Sequence, residues 1–228
     1  GCRFCQAGMI YRPLRERSLE NILSIAENSI SNTGYDEISF TSLSTGDYSN
    51  LLPLIRNFNK QCDNSHTSIS LPSLRVGAIN SEVLKEIKSV RKTGFTIAPE
   101  AGTKRLRDVI NKDFTDEEYD ETLNKLFSEG WNTIKLYFMI GLPTETDRDV
   151  LAIVDLVKAV LEIGYQHHRK KANVSVTVST LVPKPHTPFQ WQPLIDDETL
   201  QRRHQLLKGG LRGRGIRFNY HDSRNTLL

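Results

Sequence analysis

The stretch TIKLYFMIGLPTETDRDV, residues 133–150, decides the fold that the sequence predicts. Its first eight residues, Thr133–Ile140, are mostly apolar, and a short apolar run bounded by turn residues is typical of a buried strand. The predicted strand ends at the turn Gly141–Glu145, and an amphipathic helix is expected from Asp147 to Gly164. A strand, a Gly/Pro-rich turn and a helix together form the repeating unit of parallel α/β proteins.

The same unit recurs along the chain. Further strands are predicted over Asp36–Leu43, Thr67–Leu71, Gly94–Ala98 and Asn173–Val182. Helices are predicted between them and after the last one, over 18–34, 51–62, from Ser81, over 103–110, 115–130 and 197–211. The resulting five strand–helix repeats are each about 30 to 45 residues long, which is the period of βαβ units.

Polar or Gly/Pro-rich turns follow nearly every predicted strand, and this detail separates two architectures. A doubly wound sheet concentrates such turns at one switch point, whereas a barrel brings all the carboxyl ends of its strands to one site. No linker-like stretch interrupts the repeats. We therefore predict a single α/β domain over residues 1–228, built as a partial (βα)6 TIM-like barrel of parallel strands.

Composition excludes several classes of protein. The 228 residues are 38% apolar and 25% charged, as in an ordinary globular protein, and the net charge of +3 is weak evidence for an anionic partner. No apolar run approaches the length of a membrane span, so no membrane partner is expected. Three cysteines, an odd number, argue against a secreted disulfide framework, and we predict a cytoplasmic protein.

Basic residues are concentrated near the end of the chain, at Arg202, Arg203, Lys208, Arg212, Arg214 and Arg217. The simpler interpretation is a solvated helix face followed by a loop. The alternative is an RNA-binding surface, which would need stacking aromatic residues among the basic ones. Only Phe218 and Tyr220 are available for that purpose.

Two of the three cysteines lie at the start of the chain, in Gly1-Cys2-Arg3-Phe4-Cys5. Cysteines at this spacing, outside a disulfide framework, indicate metal, cluster or redox chemistry, and the pair alone does not choose among them. The third cysteine, Cys62, ends a predicted helix and is interpreted as an idle thiol. The adjacent His167 and His168 do not converge on one ion in a helix, and we expect them in an exposed loop.

Three segments together resemble the radical SAM superfamily. Gly1–Cys5 resembles the second half of its C-x3-C-x-Φ-C signature, with Phe4 as the aromatic residue; residues 136–146 resemble its G-x-I-x-G-x-P-x-E-T segment; and residues 182–189 match the turn after its sixth strand. The nearest likeness is to the radical SAM domain of uncharacterised proteins that also carry an upstream cobalamin-binding domain. Methylthiotransferases and oxygen-independent coproporphyrinogen oxidases are more distant.

The resemblance implies an enzyme that binds a 4Fe-4S cluster and S-adenosylmethionine (SAM). Cys2 and Cys5 would be catalytic cluster ligands, with Phe4 beside them, and reductive cleavage of SAM would give a 5′-deoxyadenosyl radical. An electron donor such as flavodoxin or ferredoxin is expected, and the substrate would be a small molecule or RNA. Methyl and methylthio transfer are both compatible outcomes, and cobalamin could bind through an upstream domain.

The resemblance also assigns SAM contacts to the other strand-end turns. The turn Ser44, Thr45, Gly46, Asp47 would receive the SAM amino group, and Asp47 could instead be a helix N-cap. Glu100 would contact the ribose or the amine, with a surface salt bridge as the alternative. Lys112 and Arg75 are the cationic residues for the SAM carboxylate unless they are merely solvated. Met139, Val182 and Pro183 would supply the apolar surface for the adenine, and Met139 could equally be barrel core. Gly141 would be a further cofactor-binding residue.

One departure from the family pattern bears on the cluster. The first cysteine of the signature would precede Cys2 by four residues, and the first strand would also lie upstream. We therefore expect an N-terminally truncated piece that supplies two of three thiolates and is catalytically incomplete. The alternatives are an RNA-binding protein or a non-radical βα-barrel protein without a functional cluster, such as an aldolase-like lyase, for which Lys135 is the lone strand lysine.

Overall fold

The computed structural model describes residues 1–61, 67–71, 76–77, 81–88, 94–168 and 171–220. The chain divides into two compact units, one comprising Gly1–Arg12 and Phe95–Leu228 and the other Pro13–Gly94. The described helices of the first unit are α1 (Ala7–Ile10), α5 (Lys104–Ile110), α6 (Asp116–Ser128), α7 (Asp147–His168) and α8 (Asp197–Gly210). Its described strands are β3 (Phe95–Glu100), β4 (Thr133–Ile140), β5 (Asn173–Thr180) and β6 (Ile216–Tyr220).

The second unit contains a small parallel sheet. Its described elements are α2 (Leu19–Thr33), β1 (Glu37–Ser39), a 3-10 turn (Thr45–Asp47), α3 (Leu51–Gln61), β2 (Ser68–Ser70) and α4 (Ser81–Lys88). Strands β1 and β2 pair in parallel over only three residues each, so both are shorter than predicted. The Ser18 side chain caps α2, and Gly34 ends it with a left-handed φ of 71°, both as the sequence indicates.

The four strands of the first unit form one parallel sheet in the order β3-β4-β5-β6. Since the order follows the chain and crossovers between parallel strands are right-handed, the connecting helices lie on the same face. The register between β4 and β5 is unbroken, from Thr133 beside Asn173 to Ile140 beside Thr180. The predicted parallel α/β fold is confirmed, and neither described sheet closes into a ring.

The two faces of this sheet have different compositions. The face toward the helices is fully apolar and buried, and includes Ile134, Leu136, Phe138, Val174, Val176 and Val178. The alternate residues point to the opposite face, because successive side chains of a strand alternate. That opposite face is called the polar face below, and its central residues are Lys135, Tyr137, Ser175, Thr177, Arg217 and Asn219.

Two predictions near the end of the chain are wrong. Helix α7 continues through Gly164 to His168, so the two histidines lie on its last turn, where His168 Nε2 lies 3.0 Å from the Trp131 carbonyl oxygen. The basic segment interpreted as a helix face followed by a loop contains a strand, β6. Its five residues alternate apolar and polar side chains, but this pattern is too short to indicate a strand from the sequence. Pairing with β5 provides the hydrogen bonds that make it a strand.

A buried carboxylate, Asp149, joins the first turn of α7 to the start of α5. Asp149 accepts hydrogen bonds from Thr103 Oγ1 at 2.5 Å, Arg105 Nη2 at 2.5 Å, and the Thr146 amide and hydroxyl at 2.9 and 2.7 Å. Desolvation alone would raise the pKa of Asp149, but these hydrogen bonds outweigh it and lower the pKa from 3.8 to about 2. The turns after β3 and β4 are thereby tied together.

We expect Gly164→Ala to destabilise the protein, because a Cβ there would lie 2.5 Å from Ala172 Cβ and 2.8 Å from Phe127 Cζ. The overpacking should cost about 1–3 kcal/mol in the free energy of unfolding, measured by urea denaturation. Gly209→Ala is the matched control, since no neighbouring atom lies within 4 Å of the added Cβ in α8. That variant should be stabilised by up to about 1 kcal/mol, and equal effects in the two variants would contradict the packing.

Asp149→Asn should remove an acid-sensitive part of the stability. Because the folded-state pKa lies below the ordinary value, Asp149 stabilises the fold above about pH 4, and the contribution is lost as pH falls through 2. The variant should lose about 2 kcal/mol at pH 6 and less than about 0.5 kcal/mol near pH 2, by chemical denaturation. Asp155→Asn, at an exposed position of α7, is the control and should change little at either pH. A pH-independent loss in Asp149→Asn would refute the linkage.

Candidate functional site

The first eleven residues, here called the cysteine loop (Gly1–Tyr11), include the short helix α1 and are anchored on the C-terminal end of α5. The Arg3 amide donates to the Ile110 carbonyl at 2.9 Å. The Arg3 guanidinium donates to the carbonyls of Val109 at 2.6 Å and Asp108 at 3.2 Å. These are carbonyls of the last turn of α5, of which Asp108 also accepts from the Asn111 amide at 3.2 Å, and a cation is favoured at this end of a helix.

Two further hydrogen bonds fix the loop at other points. Asn111, which ends α5 in a left-handed conformation with φ of 56°, donates from its side chain to the Gly1 carbonyl at 2.8 Å. Gln6 donates from its side chain to the Pro185 carbonyl at 3.1 Å. The cysteine loop therefore contacts both the end of α5 and the turn that follows β5.

An apolar cluster lies beneath the loop, at the carboxyl ends of the strands. Phe4 and Met139 are partly buried against it. Its buried members come from the segments after β3, β4 and β5 and from α5, and they are Ala101, Leu106, Ile110, Leu142, Leu181 and Phe189. Met139 thus combines a core contact with partial exposure at the strand end, so both of its predicted roles remain compatible with its position.

Cys2 and Cys5 are free thiols and both are half-buried. The Cys5 amide donates to the Cys2 carbonyl at 3.1 Å, so one tight turn carries both side chains. Burial raises the pKa of the Cys2 thiol; Lys112 opposes this, while Glu100 and Cys5 add to it. Cys2 therefore lies close enough to Cys5, Glu100 and Lys112 for their charges to affect it.

The acid and the base form an ion pair. Lys112 Nζ lies 3.6 Å from Glu100 Oε1, and their side chains are only 23% and 15% exposed. Burial raises the pKa of Glu100, and Lys112 opposes that rise. The pair is therefore neither the surface salt bridge nor the solvated cation that the sequence left open. Glu100 also has a φ of 69°, a strained value for a non-glycine residue that often occurs at functional sites.

The turn after β4 is held by an ion pair whose side chains are more deeply buried. Gly141 has a φ of 80°, and its amide donates to Glu145 Oε2 at 2.7 Å. Arg203 of α8 pairs with the Glu145 carboxylate and donates to the Glu145 carbonyl at 2.8 Å. Burial raises the pKa of Glu145 to about 7, with Arg203 opposing the rise. The prediction of a solvated helix face is therefore wrong for Arg203, which is buried.

The predicted site residues divide between the two units. The first unit brings Cys2, Phe4, Cys5, Glu100, Lys112, Met139 and Gly141 to the strand ends, and Val182 and Pro183 follow β5, with Val182 exposed. In the second unit, Ser44, Thr45, Gly46 and Asp47 follow β1, and the Ser44 hydroxyl donates to Asp47 Oδ2 at 2.6 Å. Arg75 and Cys62 lie outside the described residues.

Arg3 and the pair Glu145–Arg203 were not identified as site residues from the sequence. Arg3 lies inside the cysteine motif and Glu145 inside the quoted turn motif, so their positions gave a signal. Arg203 gave none, because its partner is 58 residues away in the chain.

The donor set fits an iron–sulfur cluster as far as the described residues extend. Thiolates are the ligands of such clusters, and Cys2 and Cys5 present two of them from one half-buried turn. No group of three or more His, Cys, Asp or Glu side chains in the described part of the chain could hold a metal ion. Among the described helices, none has the length and apolar character needed to span a bilayer.

Comparison with known proteins identifies the family. The model of the radical SAM superfamily matches residues 1–157. An uncharacterised protein of Methanocaldococcus jannaschii is 33% identical over 221 residues, covering 97% of this chain and 46% of that protein. A threonylcarbamoyladenosine tRNA methylthiotransferase of Aquifex aeolicus is 25% identical over 174 residues, covering 73% of this chain and 42% of that protein. The chain thus spans less than half the length of these relatives.

Solved structures share the fold. SuiB of Streptococcus suis bound to S-adenosylmethionine superposes with a TM-score of 0.65 at 12% identity, covering 97% of this chain and 47% of that one. Coproporphyrinogen III oxidase (HemN) of Escherichia coli gives a TM-score of 0.56 at 17% identity, covering 92% and 50%. The chain belongs to the radical SAM superfamily, a family of enzymes whose cofactors are a 4Fe-4S cluster and S-adenosylmethionine.

Proposed function

We propose that this chain is the SAM-cleaving core of a radical enzyme, with its reaction centre where the cysteine loop meets the ends of β3, β4 and β5. The observation that supports this most strongly is the half-buried Cys2–Cys5 turn beside the partly buried Glu100–Lys112 pair. A bound 4Fe-4S cluster and SAM would supply the chemistry, namely one-electron reductive cleavage of the sulfur–C5′ bond of SAM to methionine and a 5′-deoxyadenosyl radical able to take a hydrogen atom from the substrate.

The residues of the loop hold the cluster in this proposal. Cys2 and Cys5 would bind iron as thiolates, and Phe4, which packs against the apolar residues of the strand ends, would limit the access of water to this turn. Arg3 positions both thiols by fixing the loop on the α5 carbonyls. Limited access of water protects a reactive radical from side reactions.

The ion pair gives SAM its orientation. The methionyl part of SAM carries an ammonium and a carboxylate. Glu100 offers a negative charge for the ammonium, and Lys112 offers a positive charge for the carboxylate. Lys112 binds the carboxylate and Glu100 the ammonium or the ribose. Met139, Val182 and Pro183 provide apolar surface for the adenine, and Gly141 lets the chain turn closely beside it. Ser44, Thr45, Gly46, Asp47 and Arg75 remain proposed SAM contacts from the resemblance.

The outcome of hydrogen abstraction is a finer proposal. One relative is named a threonylcarbamoyladenosine tRNA methylthiotransferase, from Aquifex aeolicus, and another a tRNA-2-methylthio-N(6)-dimethylallyladenosine synthase, from Petrotoga mobilis. Methylthio transfer to an RNA is therefore one candidate reaction, with methyl transfer as the other. A flavodoxin or ferredoxin as electron donor, a cobalamin bound upstream and a cytoplasmic location also remain predictions.

Cys5→Ala should abolish SAM cleavage. The full-length gene product, reconstituted with iron and sulfide without oxygen and reduced with dithionite, should yield 5′-deoxyadenosine from SAM, whereas the variant should not. Iron and sulfide content, together with the electron paramagnetic resonance signal of the reduced cluster, would show whether the variant holds the cluster. Cys62→Ala, outside the motif, is the control. Wild-type protein with a full cluster and no SAM cleavage would overturn the proposed function.

Lys112→Met should weaken SAM binding by about tenfold or more, because one charge-assisted hydrogen bond to the carboxylate is lost. Lys112→Arg should keep most of the affinity, since it keeps the charge. Equilibrium dialysis with labelled SAM measures both. Lys104→Met is the control, because Lys104 pairs with Asp108 on the exposed surface of α5. Unchanged affinity in Lys112→Met, with the melting temperature retained, would remove Lys112 from the site.

A further inference from the structure

The polar face of the first unit's sheet carries two cations that the proposed SAM site does not use. A filled βα-barrel has bulky branched apolar residues on the inner face of its strands. The polar face instead carries Lys135 and Tyr137 on β4, Ser175 and Thr177 on β5, and Arg217 and Asn219 on β6. Its composition is suited to a polar ligand rather than to a packed core.

The strand register places the two cations in one row. Lys135 lies directly beside Ser175, and Ser175 lies directly beside Arg217. Neighbouring strands are about 4.8 Å apart, so the Cα atoms of Lys135 and Arg217 are about 10 Å apart, with the serine between them. All three side chains point to the same face, because residues in register on parallel strands share an orientation.

Neither cation is neutralised within the described part of the chain. Lys135 and Arg217 are both exposed, and no ion pair or side-chain hydrogen bond involves either of them among the described residues. By contrast, Arg105, Arg107 and Arg203 of the same unit are all ion-paired. Two like charges in one row of a sheet repel each other, and a bound anion would remove that cost.

We propose that the row Lys135–Ser175–Arg217 binds a phosphate group of the substrate. Two positive charges match a phosphate dianion, the guanidinium supplies paired donors, and the serine hydroxyl supplies a third kind of donor between them. Tyr137, Thr177 and Asn219 form the next row toward the strand ends and offer polar contacts to the body of the molecule.

The position of the row also sets a length for the substrate. Lys135 precedes Met139 by four residues on β4, which corresponds to about 13 Å along the strand. A substrate with its phosphate on the cationic row therefore places its other end at the strand ends, beside the cysteine loop. This deduction of length rests on the proposed function, whereas the anion site itself does not. The substrate class is an elongated phosphorylated molecule.

The test is a titration of the full-length gene product with inorganic phosphate, and separately with acetate, by isothermal calorimetry. Saturating SAM is present throughout. SAM bound as proposed occupies Lys112, so that phosphate does not bind there. Lys135→Met and Arg217→Gln should each weaken phosphate binding by about tenfold or more. Lys135→Arg should retain affinity within about threefold, since the charge is kept. Circular dichroism and melting temperature check that each variant is folded.

Lys158→Met is the matched control, since Lys158 is an exposed lysine of α7. Its phosphate affinity should equal that of the wild type. Phosphate affinity unchanged in folded Lys135→Met and Arg217→Gln would overturn the site, as would the absence of phosphate binding by the wild type. Acetate binding as tight as phosphate binding would overturn the phosphate assignment.

The two proposals fail in different ways. Wild-type protein that binds phosphate through Lys135 and Arg217 but gives no 5′-deoxyadenosine would leave the anion site standing and overturn the proposed function. Wild-type protein that cleaves SAM, with phosphate binding insensitive to both variants, would overturn the anion site alone.

Discussion

Hydrogen bonds from Arg3 to the last carbonyls of α5 are the interaction on which the position of the site depends. Helix α5 begins directly after β3, so its C-terminal end has a fixed position relative to the sheet. Carbonyls near the end of a helix can accept hydrogen bonds from outside it, and the Arg3 amide and guanidinium donate to three of them, those of Ile110, Val109 and Asp108. The two thiols on either side of Arg3 are therefore positioned by main-chain groups, which a neighbouring substitution cannot remove.

Buried carboxylates hold the strand-end turns around this loop. Asp149 accepts hydrogen bonds from the segments that follow β3 and β4, and Glu145 binds both the Gly141 amide and Arg203. A buried charge is tolerated only when it is paired and hydrogen-bonded, and here each carboxylate has several donors. The same requirement that stabilises these charges keeps the turns in one conformation, which a binding site for a cofactor requires.

Much of the parallel fold was predictable because it depends on local patterns. Strand β4 and helix α6 were found where the sequence indicates them, and a capping box of Thr115 with Glu118 begins α6. The errors have physical causes. Gly164 resembles a helix end in the sequence, but it lies inside α7, where Phe127 and Ala172 are so close that no side chain fits. Strand β6 has too few apolar residues to be recognised alone, and the hydrogen bonds of β5 make it a strand.

The sequence by itself determined the family, the parallel α/β class and the cysteine pair, because these depend on residue type, spacing and periodicity. The tertiary structure decided which charges meet. Glu100 pairs with Lys112, Arg203 is buried against Glu145, and Lys135 and Arg217 share a row without a partner among the described residues. Burial and pairing depend on contacts between residues far apart in the chain, and no local pattern records the register that brings them together.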